Sequence, residues 1–172
     1  LRLYKLDLVP PSLNWDEASL GYNAYSILNT AKDEYGNTMP LFFRSFDTYN
    51  PALSVYSLVP SVALFGLTEF AVRLPSAIFG VLTVFLTYLL VKKLFKEEVV
   101  ALVSTFLLSI SPWHLQFSRY HHEANLMIFL TTLGLVLFLN SFNNYKLLIF
   151  SFIAFGLSIY TSHGAKLWTI LF

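Results

Sequence analysis

Apolar residues follow two different patterns along the chain. From residue 74 onward they form four near-continuous runs, 74–95, 99–115, 126–142 and 147–160, separated by short polar connections. A helix crosses a bilayer with ~20 predominantly apolar residues, and ~17 can suffice. The runs therefore read as transmembrane helices, the last one short unless it continues through Thr161 and Ser162. Pro75 sits where a first helical turn tolerates proline.

Residues 1–73 are mixed. They hold seven of the ten acidic and five of the eleven basic residues. Ser12 or Asn14 can cap a helix starting at Trp15, with Asp16 and Glu17 in a first turn that favours acids. Leu20, Ala24, Ile27 and Leu28 then recur at helical spacing, which predicts an amphipathic helix rather than a span. Residues 33–37 carry turn chemistry. Residues 51–65 are apolar but short and interrupted by Pro60, so they read as an interfacial or re-entrant helix. The expected fold is all-α: a polytopic transmembrane helix bundle with juxtamembrane amphipathic helices in a first non-cytoplasmic loop. That loop is 1–73, and 74–172 holds about four spans and the start of another. Both ends of the sequence read as cut, so the chain is expected to be part of a longer protein.

Composition agrees with a membrane solvent. The chain is 56% hydrophobic, 12% charged and 17% aromatic, where a soluble domain is about a quarter charged. A net charge of +1 leaves no basic footprint for nucleic acid. Without cysteine there is no disulfide framework and no thiolate metal site. The connections set orientation. Lys92, Lys93 and Lys96 lie between the first two spans and Lys146 between the third and fourth. The positive-inside rule puts these turns in the cytoplasm. Residues 1–73, 118–123 and 162–166 then share the opposite face, unless 51–65 fully crosses.

The polar residues on that face are the candidates for chemistry. Asp16 and Glu17 are adjacent carboxylates that could act as a general base or hold a divalent metal, or simply complement the helix dipole. In 119–123, Arg119 offers a planar fork suited to phosphate. Glu123 begins a span, where a carboxylate needs a partner or a wet cavity. The alternative is a snorkelling interfacial loop. His121 and His122 diverge by about 100° if helical, which disfavours joint metal ligation. Arg44, Asp47, Arg73 and Lys166 form a looser set, each open to a role as headgroup anchor; His163 reads as a satisfied interfacial histidine. No phosphate-binding loop, dinucleotide fingerprint, zinc-protease motif or nucleophile elbow is present. Uncharged span interiors at 74–90 and 99–108 argue against a transporter with a mid-bilayer site. A carrier-binding protein without catalysis, or an inactive relative, remains the alternative reading.

Asn14-Trp15-Asp16-Glu17-Ala18 resembles the first-loop motif of the protein O-mannosyltransferase and aminoarabinose-transferase group, within the C-type glycosyltransferase superfamily. Further stretches resembling its bacterial members follow in order: 33–36, 49–53, 64–66, 73–76, 111–114, 118–120 and Glu123. The resemblance implies sugar transfer, with inversion, from a polyprenyl-phosphate donor to a protein, lipid or glycan acceptor on the outer face of a bacterial plasma membrane. Asp16 would be the base, supported by Glu17. Arg119 would bind the lipid phosphate with Arg73 or Lys166, and Glu123 would be the second-loop acid. A divalent metal is compatible but not required. Tyr49-Asn50 and Pro51-Ala52 depart from the Glu-Lys and Pro-Pro of relatives, so a phosphate-binding lysine and a metal-binding glutamate are not carried over there. On this topology, single cysteines replacing Asp33 and His121 should react with an impermeant thiol reagent on intact cells, and one replacing Glu97 should be protected.

Overall fold

A computed structural model describes residues 1–45 and 48–162. Seven α-helices account for most of the described chain, with one two-stranded hairpin. The first helix, α1 (Trp15–Thr30), starts where the capping signals place it. The Asn14 side chain accepts from Trp15 N at 2.7 Å, and the Glu17 carboxylate accepts from Asn14 N at 3.2 Å, closing a capping box. The turn at 33–37 is held by Asp33, whose Oδ1 accepts from Tyr35 N at 3.0 Å and Asn37 N at 2.7 Å. Gly36 supplies the positive φ of 89° it needs. Strands β1 (Phe42–Ser45) and β2 (Thr48–Pro51) then pair antiparallel. This hairpin is not foreseen in the hydrophobic pattern, although Phe42, Phe43 and Tyr49 suit a strand.

Helix α2 (Ala52–Phe65) has 14 residues, about 21 Å at helical rise, against a hydrocarbon core of about 30 Å. It packs against α1 and α3. Leu20, Ala24 and Ile27 of α1 meet Ala52, Val55, Leu58 and Val62 of α2, with Phe43 from the hairpin and Ala71 and Val72 from the next helix. This is the main hydrophobic core, and it lies at one end of the bundle.

Helix α3 (Glu69–Phe95) is 27 residues long and begins at Thr68, whose side chain accepts from Ala71 N. Its start differs from expectation by five residues. Pro75 is therefore inside the helix rather than in its first turn, and Arg73 lies in the second turn rather than before the span. The run at 99–115 is not one continuous helix. It divides into α4 (Glu98–Ile110) and α5 (Pro112–Arg119), bent by 58°, because Pro112 lacks an N–H and begins a new helix at N1. Then come α6 (Glu123–Ser141) and α7 (Lys146–Ile159). Among the described residues α3 and α6 are long and apolar enough to cross a membrane, and the bent pair α4–α5 makes a third if taken as one span. The fourth expected run is the 14-residue α7.

Helix α3 is the hub, packing on α2, α4, α5 and α6, while α6 packs on α7. Around it, large apolar side chains such as Val99, Leu102, Val103, Phe106 and Ile153 are exposed, as expected of surfaces whose solvent is lipid. Close approach of α3 to α5 depends on Gly80. A Cβ there would sit 2.6 Å from the Ser118 Cβ and 3.4 Å from its backbone Cα. Gly80→Val should therefore destabilise the folded protein by about 1–3 kcal/mol through overpacking. Thermal unfolding in detergent measures this, and an unchanged midpoint would contradict the close α3–α5 contact.

Candidate functional site

The polar residues gather at the end of the bundle that carries the hydrophobic core. Three parts of the chain meet there: residues 1–17, the second turn of α3, and the α5–α6 connection. Arg73 joins them. It is fully buried, and each of its five N–H donors has an acceptor. Nε donates to Glu17 Oε1 at 3.2 Å and Nη2 to Glu17 Oε2 at 3.4 Å. Nη1 donates to the carbonyls of Leu6 (2.9 Å) and Pro10 (2.8 Å), and Nη2 to that of Ser12 (2.7 Å). A fully satisfied, fully buried guanidinium is a scaffold, not a headgroup anchor, and has no donor to spare for a lipid phosphate. The reading of Arg73 as a cation at a span's outer end is corrected on this point.

Glu17 is as fully engaged as its partner. It is 1% exposed. Besides Arg73 and its own capping bond, its Oε1 accepts from the backbone N of His121 at 3.0 Å. One carboxylate thus ties the start of α1 to α3 and to the α5–α6 connection. Behind it, Ser76 Oγ lies 3.2 Å from His121 Nδ1, and Asn125 Nδ2 donates to the Ser76 carbonyl at 2.7 Å. The connection itself is short. Arg119 ends α5, Glu123 opens α6, and only residues 120–122 lie between, not the loop of about ten residues expected. Burial, with a smaller contribution from neighbouring His122, pushes the His121 pKa down to about 4.

Asp16 differs from its neighbour. It is half-buried and lies beside Tyr120. The Tyr120 hydroxyl accepts from Asn14 Nδ2 at 2.9 Å. Its pKa is raised, first by burial and then by the Asp16 and Glu17 carboxylates. A cleft of about 380 Å³ opens here, lined by Pro10, Ser12, Asn14, Glu17, Gln116, Phe117 and Tyr120. Glu17 lines this cleft with its carboxylate already engaged, and Asp16 adjoins it through its interaction with Tyr120.

Arg119 lies on the same side but is engaged with the chain. Its Nη1 donates to the carbonyls of Leu1 and Tyr4, and its Nη2 to those of Lys5 (3.2 Å) and Val9 (2.8 Å). These partners are neutral, so its charge is not cancelled by them. Arg2, which sequence reasoning passes over, reciprocates. It donates to the Ser109 (3.1 Å) and Leu108 (3.4 Å) carbonyls at the α4–α5 break, and to His114 Nδ1 at 2.9 Å. Irregular backbone at membrane depth is tolerated where protein satisfies it. Glu123 Oε1 accepts from Ser162 Oγ at 2.8 Å. Lys166, His163 and Asp47 lie outside the described residues. Among the described residues no group of three or more His, Asp or Glu side chains is placed to hold a metal ion. The site residues that sequence reasoning missed, Tyr120, Gln116 and Phe117, carry no local signal beyond the Ser118-Arg119-Tyr120 stretch.

An all-α chain with spanning-length apolar helices and a polar centre at one end of the bundle is an integral membrane protein. The family model for dolichyl-phosphate-mannose-protein mannosyltransferases matches residues 50–168, more than half of the sequence, and the chain belongs to that family. Membership makes it a C-type membrane glycosyltransferase, a group that uses lipid-linked sugar donors. Asp16 and Glu17 precede the matched region. No curated protein and no solved structure matches the chain.

Breaking a buried ion pair by removing one partner costs about 3–5 kcal/mol. Arg73→Leu should do so, and Arg73→Lys should not rescue it, because an ammonium cannot satisfy carbonyls at 6, 10 and 12 and a carboxylate together. Wild-type stability of the Arg73→Lys variant in thermal unfolding would contradict the scaffold role. His121 gives a pH dependence. Its folded-state pKa lies below the ordinary 6.5, so the unfolded chain binds its proton first. Stability should fall as pH drops from about 6.5 toward 4, and His121→Asn should flatten that part of the melting profile. A His121→Asn profile of wild-type slope would count against burial of the neutral ring.

Proposed function

We propose that this protein moves a sugar from a polyprenyl-phosphate donor to a protein, lipid or glycan acceptor at the non-cytoplasmic face of a bacterial plasma membrane. Family membership supports the reaction class. The observation that carries the site is the division between two adjacent carboxylates. Glu17 is consumed by Arg73, Asn14 N and His121 N, which favours half-buried Asp16, beside Tyr120 at the edge of the cleft, as the base.

In this reading Asp16 accepts the proton of the acceptor hydroxyl. The hydroxyl oxygen attacks the anomeric carbon as the bond to the phosphate oxygen breaks, with inversion. Polyprenyl phosphate leaves, and the uncancelled charge of Arg119 opposes its growing negative charge, joined by Lys166. Glu123 orients the second-loop end through its bond with Ser162, and Arg73 acts only through Glu17. Helix α2 then lies along the membrane surface. Residues 1–73 and 118–123 share one face in this reading, which the bond from His121 N to Glu17 supports.

Membranes containing the protein, supplied with labelled polyprenyl-phosphate sugars, should release label from the lipid. Asp16→Asn should reduce the rate by at least about 100-fold, within the range of lost general-base catalysis. Full activity of the Asp16→Asn enzyme would sink the mechanism. For topology, Asp33 and His121 are 4% and 1% exposed, so they are poor labelling positions. Cysteines replacing exposed Tyr35 and Gln116 should react from outside intact cells, and one replacing Glu97 should not. The reverse pattern would place the site in the cytoplasm.

A further inference from the structure

We propose that the cleft between residues 10–17 and α5 is a binding site for one neutral pyranose ring, resting on an aromatic wall built by Phe117 and Tyr120. This deepens the transferase reading and rests on it for the choice between donor and acceptor sugar.

Charge excludes the phosphate from this cleft. Among the described residues, the only ionisable lining group besides the Tyr120 phenol is Glu17, and its charge is matched by buried Arg73 at 3.2 Å. No described lysine or arginine lines the space. A phosphate would meet a carboxylate edge and no cation, whereas a neutral polyol meets no electrostatic penalty. Size agrees. About 380 Å³ is at the small end of ligand pockets, which run roughly 300–1,000 Å³. It admits a monosaccharide but not a polyprenyl chain.

The lining has two chemistries suited to a sugar. Phe117 and Tyr120 present π faces, whose negative quadrupole attracts the polarised C–H bonds on one side of a pyranose. Their rings pack against neighbouring rings. Trp113 contacts Phe117 at 4.9 Å, and His122 contacts both Phe117 at 5.5 Å and Tyr120 at 5.8 Å. The polar lining is Ser12, Asn14 and Gln116. Hydroxyl and amide groups both donate and accept, which matches sugar hydroxyls. Asn14 is oriented by its bonds to Trp15 N and the Tyr120 hydroxyl, so one edge of the site is set in advance. Asp16 follows Asn14 by two residues, at the same rim.

The test is saturation-transfer NMR on the purified full chain in a sugar-free detergent, with methyl mannoside, glucoside and galactoside as probes. At least one glycoside should receive saturation on its ring protons in wild type. The signal should fall at least fivefold in Phe117→Ala and in the exposed variant Gln116→Ala, and persist in Phe117→Tyr. Inorganic phosphate should not compete. Absence of transfer to all three glycosides, equal transfer to Phe117→Ala and Gln116→Ala proteins, or competition by phosphate would each overturn the site. Because the readout needs no turnover, a failed transferase assay and a failed sugar site are separable. In a working assay, Phe117→Ala should raise KM at least fivefold for one substrate. A donor effect assigns the ring to the transferred sugar, and an acceptor effect to a glycan acceptor. An unchanged KM for both overturns the proposal.

Discussion

The buried Arg73–Glu17 pair holds the polar end of this molecule together. A guanidinium and a carboxylate withdrawn from water are costly unless every donor and acceptor is used. Here the five donors of Arg73 are all used, and Glu17 takes bonds from three separate parts of the chain. The pair fixes the coil at 6–12, the start of α1, the second turn of α3 and the α5–α6 connection relative to one another. Position at the site follows from this. Asp16 is held beside Tyr120, next to the cleft, because its neighbour in sequence is anchored one residue on.

The same economy of carbonyl partners governs the α4–α5 break. Residues 1–12 have little regular structure of their own, and Arg73 and Arg119 bond their carbonyls. In return Arg2 bonds the Leu108 and Ser109 carbonyls at the end of α4, beside the break. Coil and broken helix therefore stabilise each other, and the cleft is the space left between them. A proline that would weaken an isolated span instead makes a short helix, α5, that carries Gln116 and Phe117 to the site, with Tyr120 just past its end.

Features set by local chemistry are legible in the sequence. The Asn14 cap, the turn at Asp33 and the apolar runs of α3 and α6 follow from contacts within a few residues. Tertiary features are not. The acceptors of Arg73 lie 56 to 67 residues away, so from sequence it resembles any cation near a membrane boundary. The break at Ser111-Pro112 does have a local signal, but continuous hydropathy outweighs it. The β1–β2 hairpin is obscured because its short strands lie beside an apolar helix. Of the candidate residues, Glu17 lines the cleft and Asp16 adjoins it beside Tyr120. Which of the two faces Arg73, on which the proposed division of roles depends, is not revealed by helical spacing alone.

The most direct measurement is a paired one on Glu17→Gln and Asp16→Asn, reading thermal stability and sugar release from the lipid donor on the same preparations. The account predicts that Glu17→Gln loses several degrees of melting temperature, with activity falling alongside the folded fraction. Asp16→Asn should melt like wild type with transfer abolished. A Glu17→Gln protein that is stable yet inactive, or an Asp16→Asn protein that is active, would contradict the division of roles at the centre of the site.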